Sequence, residues 1–223
     1  MVNKKAVILL SGGLDSATTL YFAKAKGCKC SCLLFDYGQR HKKELKSAVK
    51  LAKINKCEYT IIKMALPWSK SALTDRKVKI PVNSKKIGLE IPVTYVPARN
   101  TIFLSFAASY AESIGAKQIF IGANALDYSG YPDCRPKYIK AYEKAVNLGT
   151  KSGASGKTIK INTPLINLTK AEIIKLGMKL KVPYELTWSC YKGGKKPCRK
   201  CDSCLLREKG FKTQIVLHKS RKV

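Results

Sequence analysis

Apolar runs alternate with amphipathic stretches along most of the chain. The runs have the length of strands and lie at residues 5–10, 30–38, 57–64 and 116–124. Apolar residues recur at helical spacing between them, at residues 15–27, 42–56 and 101–115. Because strands that alternate with helices favour parallel pairing, we expect a parallel sheet with helices on both faces.

The pattern resumes in the second half of the chain after an interruption. Residues 65–98 contain four prolines and little periodicity, and long irregular segments of this kind are often functional. The elements predicted beyond them are helices at 137–150 and 169–181, an extended segment at 158–165 and a flexible turn at 151–157. Thr169 and Glu172 have the spacing of a capping box. The elements together predict a doubly wound, five-stranded parallel α/β sheet.

The chain is strongly basic, with 43 Lys and Arg against 14 Asp and Glu and a formal net charge of +29. A field of this strength attracts polyanions such as nucleic acid. However, 36 of the basic residues are lysines, and they are spread over nearly the whole chain. Proteins that recognise nucleic acid cluster their charge and favour arginine. We therefore expect solvated lysine faces and no nucleic-acid partner.

The lengths of the apolar runs and the number of cysteines indicate in which cellular compartment the protein works. No run approaches the roughly 18 residues that a membrane helix needs. The first ten residues combine a basic start with an apolar run, but no small-residue cleavage site follows. We expect a cytoplasmic protein with no membrane contact, in which the nine cysteines are thiols or metal ligands.

The turn after the first strand carries candidate phosphate chemistry. Its sequence, SGGLDS at residues 11–16, places two glycines before the start of a helix. Gly12 and Gly13 permit positive φ and close backbone approach, and the free N–H groups of a helix start attract anions. Asp15 could orient amides or coordinate magnesium. The dinucleotide pattern G-x-G-x-x-G and the Walker A pattern are both absent. The residues alone leave a phosphate cradle and an ordinary tight turn as alternatives.

Four cysteines near the C-terminus have the spacing of metal ligands. They are Cys190, Cys198, Cys201 and Cys204. Two-residue gaps let neighbouring thiolates converge on one tetrahedral ion, and four sulfurs leave no open position, which favours structural zinc. An iron–sulfur cluster and four unrelated thiols are the alternatives. Cys28, Cys30 and Cys32 alternate along one strand, and they and Cys57 are expected to pack as small buried hydrophobes.

Following a strand, SGGLDS resembles the S-G-G-x-D-S motif of the PP-loop ATP pyrophosphatases. Enzymes of that group bind ATP, hold its pyrophosphate on this loop and transfer AMP to a substrate oxygen. Five further stretches extend the resemblance: FDYGQRH, VPARN, ANALDYSGYPDCR, PLINLTKAEI and CDSCLLR. With them, residues 5–211 resemble the 7-cyano-7-deazaguanine synthase family of queuosine biosynthesis.

The resemblance implies an adenine nucleotide alpha-hydrolase-like fold in two parts. Residues 1–187 would form the nucleotide-binding domain, and residues 188–223 a zinc-binding module with a basic tail, packed on it as one functional unit. The implied enzyme is a homodimer that converts 7-carboxy-7-deazaguanine, ammonia and ATP to the 7-cyano base. It would use Mg²⁺ and carry Zn²⁺. An acyl adenylate forms first, ammonia displaces AMP to give an amide, and a second adenylation on the amide oxygen leaves the nitrile.

The resemblance also implies three sets of site residues. The ATP-binding set is Leu10, Ser11, Gly12, Gly13, Leu14, Asp15, Ser16, Ala17, Thr18, Thr19 and Leu20. The catalytic set is Asp15, Ser16, Arg99 and Asp133. The substrate-binding set is Tyr37, Gln39, Arg40, His41, Asn100, Asp127, Tyr131, Asp133 and Arg135. Either Arg99 or Lys192 is expected to meet the charge of the leaving pyrophosphate. His41 has either a direct chemical role or an orienting one. Cys134 is not expected to be a nucleophile, because adenylation already supplies the activation.

One position departs from the family's pattern, which has glycine between the second and third cysteines. This chain has Arg199 there. Because metal knuckles often use glycine at positive φ, the departure leaves the geometry of the turn open, though not the set of ligands.

Two other functions are alternatives. A PP-loop enzyme that adenylates a tRNA base fits the net charge of +29, but no appended RNA-binding domain and no paired catalytic cysteines are evident in the sequence. A zinc-stabilised regulator that binds nucleic acid without catalysis would leave SGGLDS and the polar loops after the strands without a purpose.

Overall fold

The computed structural model describes residues 4–83, 90–126 and 130–220, the last six of these by their backbone alone. A five-stranded sheet lies at its centre, with strand order β3-β2-β1-β4-β5 and parallel pairing throughout. The strands are β1 (Lys4–Leu9), β2 (Cys28–Asp36), β3 (Glu58–Lys63), β4 (Gln118–Phe120) and β5 (Lys160–Asn162). This confirms the predicted five-stranded parallel α/β sheet.

Helices cover both faces of the sheet. They are α1 (Leu14–Ala25), α2 (Lys43–Ile54), α3 (Arg99–Ile114), α4 (Pro136–Gly149), α5 (Lys151–Ala154), α6 (Lys170–Lys179) and α7 (Asp202–Ser220). The buried side chains of α1, α2 and α6 form one apolar layer, and those of α3 and α4 form the other. The chain runs outward from β1 to β3 and then crosses to β4, so the switch point lies beside β1, where open α/β sheets bind their ligands.

Strand β1 shows why the chain begins its sheet with a continuous apolar run. Val7 and Leu9 pack against the layer of α3 and α4, while Ala6 and Ile8 pack against α1, α2 and α6. Because both faces of this central strand are buried, polar residues do not alternate with apolar ones along it. Among the described helices, none is both long and apolar enough to cross a membrane.

The cysteines of β2 pack as predicted. Cys28, Cys30 and Cys32 are all buried on the face of α1 and α2, and Cys57 packs at the edge of the same layer. Burial raises the pKa of the Cys30 thiol to about 12, which keeps it neutral and inert.

The boundaries of β4 and β5 differ from the sequence prediction. Each pairs over three residues only, whereas the apolar run extends from 116 to 124. Beyond Phe120 the chain keeps single hydrogen bonds, from Ile121 N–H to the Asn162 carbonyl oxygen at 3.1 Å and from Ala125 N–H to that of Ile166 at 2.9 Å. The intervening residues leave the sheet and line a cavity.

Two helices lie where the sequence predicted none. Residues 151–157, predicted as a flexible turn, begin with the single-turn helix α5. Helix α7 occupies much of the segment interpreted as a cysteine module and basic tail. It packs so closely on α6 that a Cβ atom at Gly210 would lie 2.7 Å from Lys170 Cγ and 2.8 Å from Ile174 Cδ1. Glycine at this position therefore permits the helix contact.

Candidate active site

The loop between β1 and α1 has the backbone shape of an anion cradle. Gly12 has φ +89°, and a Cβ atom there would lie 2.1 Å from the carbonyl oxygen of Glu44. Ser16 Oγ accepts hydrogen bonds from the N–H groups of Ser11 and Gly12, both at 3.2 Å. The N-cap of α1, Gly13, brings no side-chain acceptor to the first turn, so the amides there are left for a bound anion.

Lys170 is the cation that faces this loop. Its Nζ lies 2.8 Å from both carboxylate oxygens of Asp15, and its side chain is only 9% exposed. The confirmed capping box of Thr169 and Glu172 begins α6 at Lys170 and so positions it. Lys170 is not among the site residues predicted from the sequence. One signal was present: a lysine in the first turn of a helix opposes the helix dipole and needs a local reason.

A cavity of about 240 Å³ opens at the carboxyl ends of β1, β2 and β4. The predicted ATP-binding residues that line it are Leu10, Ser11, Gly13, Leu14, Asp15 and Ser16. The predicted substrate-binding and catalytic residues that line it are Tyr37, Gln39, Arg40, His41, Arg99, Asn100 and Tyr131. Ala17, Thr18, Thr19 and Leu20 lie further along α1 and are buried in its packing. One open cavity thus brings together the loop and six of the nine predicted substrate-binding residues.

One wall of the cavity is aromatic. Phe35 and Phe103 stack with ring centroids 3.9 Å apart and planes 8° from parallel. Tyr37 meets Phe103 edge to face at 5.4 Å, and Arg99 Nη1 donates to Tyr37 Oη at 3.5 Å. This wall suits a flat aromatic ring. Phe103 was missed, because within an apolar helical stretch it is indistinguishable from a core residue.

Gln39, Arg40 and His41 line the cavity, but they also hold the loop after β2 in place. Gln39 Oε1 accepts from the Tyr37 N–H at 2.8 Å, and Gln39 Nε2 donates to the Phe35 carbonyl oxygen at 3.1 Å. Arg40 Nη2 donates to the carbonyl oxygens of Asp75, at 2.6 Å, and Val78. Arg40 therefore anchors the irregular segment that follows β3.

His41 joins the loop after β2 to the cysteine module. Its Nδ1 accepts from the Lys43 N–H at 3.3 Å, so Nε2 carries the proton and donates to the Cys190 carbonyl oxygen at 2.9 Å. Burial lowers the pKa of this imidazole, which keeps it neutral. With both nitrogens engaged, His41 orients its neighbours. Of the two roles left open by the sequence, the hydrogen bonds support the orienting one.

Asp133 and Arg135 are described, but neither lines the cavity. Asp133 is buried, and its Oδ2 accepts from the N–H of Asn100 at 3.0 Å, so it holds the start of α3. Arg135 is exposed at the start of α4, and Lys192 is exposed as well. Asp127 lies outside the described residues. Burial raises the pKa of the Cys134 thiol to about 11, which fits the expectation that it is not a nucleophile.

The four cysteines converge as their spacing predicted. The Sγ atoms of Cys190, Cys198, Cys201 and Cys204 lie within 4.8 Å of one another. The N–H groups of Cys198 and Cys201 donate to Cys190 Sγ and Cys198 Sγ, both at 3.3 Å. Such a set offers four thiolates and a closed site, the arrangement of a structural metal centre. Arg199 takes the left-handed conformation that glycine would favour, with φ +58°.

The cysteine module also forms part of the cavity wall. Its contribution to the lining is Ser189, Tyr191, Ser203 and Arg207, none of which is among the predicted site residues. Arg207 Nη1 donates to Thr187 Oγ1 at 2.7 Å, and its Nη2 donates to the Tyr184 carbonyl oxygen at 2.8 Å. The Trp188 N–H donates to the Gly12 carbonyl oxygen at 3.0 Å, which ties the module to the loop.

A glycine-rich loop at the switch point of a parallel sheet, faced by a buried lysine and an aromatic wall, is typical of a nucleotide-binding α/β protein of the PP-loop class. The model of the queuosine biosynthesis protein QueC family matches residues 5–215, and the chain belongs to this family.

Similar proteins agree with this assignment. The chain is 60% identical over 213 residues to the 7-cyano-7-deazaguanine synthase of Thermoplasma acidophilum, covering 95% of this chain and 89% of the relative. It is 57% identical over 211 residues to the 7-cyano-7-deazaguanine synthase of Nostoc punctiforme, covering 93% and 94%. An NH3-dependent NAD synthetase structure from Campylobacter jejuni shares 22% identity with a TM-score of 0.47, covering 83% and 68%, a likeness too weak to bear on function.

Proposed function

We propose that this chain is an ATP-dependent ligase that converts 7-carboxy-7-deazaguanine and ammonia to 7-cyano-7-deazaguanine for queuosine synthesis. The family and the names of its relatives support the proposal. The observation that carries it is the single cavity of about 240 Å³ into which both the phosphate loop and the aromatic wall open. A nucleotide and a flat base can meet there, as transfer of AMP to the base requires.

The phosphate end of the cavity is suited to splitting ATP between its α and β phosphates. The first-turn amides of α1 and the positive end of its dipole bind phosphate, and Lys170 supplies a buried cation. Asp15 holds Lys170 in the structure, and arriving phosphate competes for the same ammonium. ATP brings Mg²⁺ as its counter-ion. Negative charge that develops on the leaving pyrophosphate is thereby met by groups already in position.

The aromatic end of the cavity is suited to the deazapurine. Its flat ring packs on the wall of Phe35, Tyr37 and Phe103, beside the Arg99 guanidinium. A carboxylate is a poor electrophile, so the first AMP makes an acyl adenylate that ammonia displaces to give an amide. A second AMP on the amide oxygen then allows that oxygen to leave, and the nitrile forms.

The four cysteines hold Zn²⁺ in this proposal. Four thiolates leave no position for substrate, so the metal stabilises the fold around the cavity. We further propose a homodimer that works in the cytoplasm, where thiols stay reduced. Light scattering on the purified protein should give twice the chain mass of 24.7 kDa. A mass equal to one chain would refute the dimer.

Product analysis tests the reaction. Purified protein is incubated with ATP, Mg²⁺, ammonium and the carboxylated base, and AMP, amide and nitrile are measured by mass spectrometry. We expect two AMP for each nitrile. AMP release that needs bulk tRNA and not the base would overturn the proposal in favour of a tRNA-adenylating enzyme, which the net charge of +29 would then suit.

A further inference from the structure

Glu44 is an acidic side chain in the cavity that the steps above leave unused. It lies in the first turn of α2, directly beside the phosphate loop, since Gly12 packs against its backbone. Among the described residues that line the cavity, only Asp15 and Glu44 are acidic. Lys170 holds Asp15. Within the described part of the chain, no hydrogen bond or ion pair joins the Glu44 carboxylate to a partner.

The charged groups around Glu44 come from several elements. Arg99 from α3 and Tyr37 from the loop after β2 interact with it electrostatically. Burial raises the pKa of the Glu44 carboxyl to about 7, and the positive charge of Arg99 limits the rise. The other charged or titratable groups on the cavity wall are Asp15, Arg40, His41, Cys134, Lys170, Tyr131, Tyr191 and Arg207. A carboxyl that is half ionised near neutral pH accepts and returns protons readily.

We infer that Glu44 is the general base that takes protons from the substrate nitrogen. This inference rests on the proposed function, and it follows from the chemistry of that nitrogen. At neutral pH the nitrogen arrives as ammonium with four protons, and it leaves in a nitrile with none. A side chain beside the reaction must take up these protons and pass them to water.

The substrate nitrogen loses its four protons one at a time as bonds form and break. Glu44 takes the first proton, so that ammonia attacks the acyl carbon. The bond from that carbon to the AMP oxygen breaks, and the nitrogen gives up a second proton as the amide forms. The amide oxygen attacks the α-phosphorus of a second ATP, pyrophosphate leaves, and the nitrogen loses a third proton. Loss of the fourth proton and of the second AMP leaves the carbon–nitrogen triple bond.

The other titratable groups of the cavity are less suited to this role. Both ring nitrogens of His41 already have partners, and Lys170 holds Asp15. Burial raises the pKa of the Cys134 thiol to about 11, so little thiolate is present at neutral pH. Arginine is always protonated and cannot accept. Glu44 alone in this comparison offers a carboxylate without a protein cation bonded to it.

The test separates adenylation from nitrogen chemistry. Glu44→Gln keeps the shape and removes the basic oxygen, and Glu58→Gln makes the same change at an exposed position of β3. Exchange of labelled pyrophosphate into ATP, with the carboxylated base and no ammonium, should stay within about threefold of wild type in both variants. Ammonium-dependent nitrile formation at pH 7 should fall at least about 100-fold in Glu44→Gln only.

A pH series adds a readout that a purely structural role would not move. Free ammonia rises about tenfold for each pH unit below the ammonium pKa, so amide formation by Glu44→Gln should recover steeply with pH. The third and fourth protons still have no base to accept them in this variant. The amide should therefore accumulate, and less of it should be converted to the nitrile. If Glu44→Gln fails to fold by circular dichroism, Glu44→Asp replaces it, and we expect normal exchange with a nitrile rate about tenfold lower.

Three outcomes overturn the inference. The first is nitrile formation by Glu44→Gln at the wild-type rate. The second is loss of pyrophosphate exchange in parallel with nitrile formation in the folded variants, or a raised KM for the base alone, which would assign Glu44 to binding. The third is absence of exchange in the wild-type chain with the carboxylated base, which would overturn the proposed function and this inference together.

Discussion

Lys170 is buried at the first position of a helix, where its charge opposes the helix dipole. Both carboxylate oxygens of Asp15 lie 2.8 Å from Lys170 Nζ. This ion pair offsets the unfavourable interaction with the helix dipole. A role in binding phosphate would therefore explain why a lysine occupies this otherwise unfavourable position. Lys192, one of the two cations predicted to meet the pyrophosphate charge, is exposed.

We predict that Lys170→Ala lowers kcat for AMP release about 100-fold, since a positioned cation on developing phosphate charge is removed. Lys175→Ala is the matched control, because Lys175 lies exposed on the same helix. Its kcat should stay within about twofold of wild type. The rates can be measured by AMP release with the carboxylated base and ammonium. Equal kcat in the two variants would contradict the role of Lys170.

Arg199 is a second residue with an unfavourable local conformation. It has φ +58° between two of the clustered cysteines, and its ion pair with Glu208 spans 3.7 Å on an exposed surface. A left-handed conformation costs a residue with a Cβ atom about 1 kcal/mol, whereas the exposed pair contributes little.

We therefore predict that Arg199→Gly raises the free energy of unfolding by about 0.5 kcal/mol, the relief of strain being partly offset by the greater freedom of glycine in the unfolded chain. Urea denaturation of the metal-loaded protein provides the measurement. Lys200→Gly, at a neighbouring position without positive φ, should lower the same free energy. A loss of stability in Arg199→Gly would show that the conformation is not strained.

At the scale of elements, α6 and α7 act as one unit that brings two cations to the cavity. Lys170 begins α6, Arg207 lies on α7, and Gly210 lets the two helices pack closely. The capping box decides where α6 begins: the Thr169 N–H donates to Glu172 Oε2 at 2.8 Å, and Thr169 Oγ1 accepts from the Glu172 N–H at 3.3 Å. Loss of this cap frays the turn that carries Lys170.

We predict that Thr169→Ala lowers the free energy of unfolding by about 1 kcal/mol and also raises the KM for ATP severalfold. Thr169→Ser keeps the oxygen that accepts the Glu172 N–H, and it should behave like wild type in both measurements. Urea denaturation and steady-state kinetics provide them. If Thr169→Ala loses stability while its KM for ATP stays unchanged, then the cap does not position Lys170.

At the scale of the whole molecule, the cavity belongs to no single part of the chain. The loop after β1, the loop after β2, the start of α3 and the cysteine module all contribute to its wall. Hydrogen bonds from Trp188 N–H to Gly12 and from His41 to Cys190 hold the segment of the four cysteines against the loops after β1 and β2. A metal held by the four cysteines would therefore support the shape of the cavity.

We predict that removing the metal with a strong chelator lowers the affinity for ATP at least about tenfold and destabilises the fold, because Tyr191 and Arg207 lose their support. Cys201→Ser should do the same, whereas Cys57→Ser, which is far from the cluster in sequence, should keep metal and affinity. Elemental analysis and ATP titration test this. A stable wild-type protein with no bound metal would refute it.

The sheet, the glycine-rich loop after β1 and the four-cysteine cluster could all be predicted from local sequence patterns. Each depends on short-range information: an apolar run for a central strand, glycines beside a helix start, and cysteines two residues apart. Residues 5–36 could therefore be assigned a strand, a loop, a helix and a second strand before any contact was known.

Which polar groups face the cavity depends on long-range packing and could not be predicted from local patterns. Lys170 and Arg207 come from helices distant in sequence, and Phe103 looks like a core residue until its neighbours are known. Asp133, predicted to be catalytic, accepts a hydrogen bond from the Asn100 N–H at the start of α3 and does not line the cavity, and a loop carboxylate can serve equally well as a helix cap or as a ligand. The local sequence pattern specifies whether a segment forms a strand, a helix or a loop. Which groups its side chains contact depends on packing between segments that are far apart in the chain.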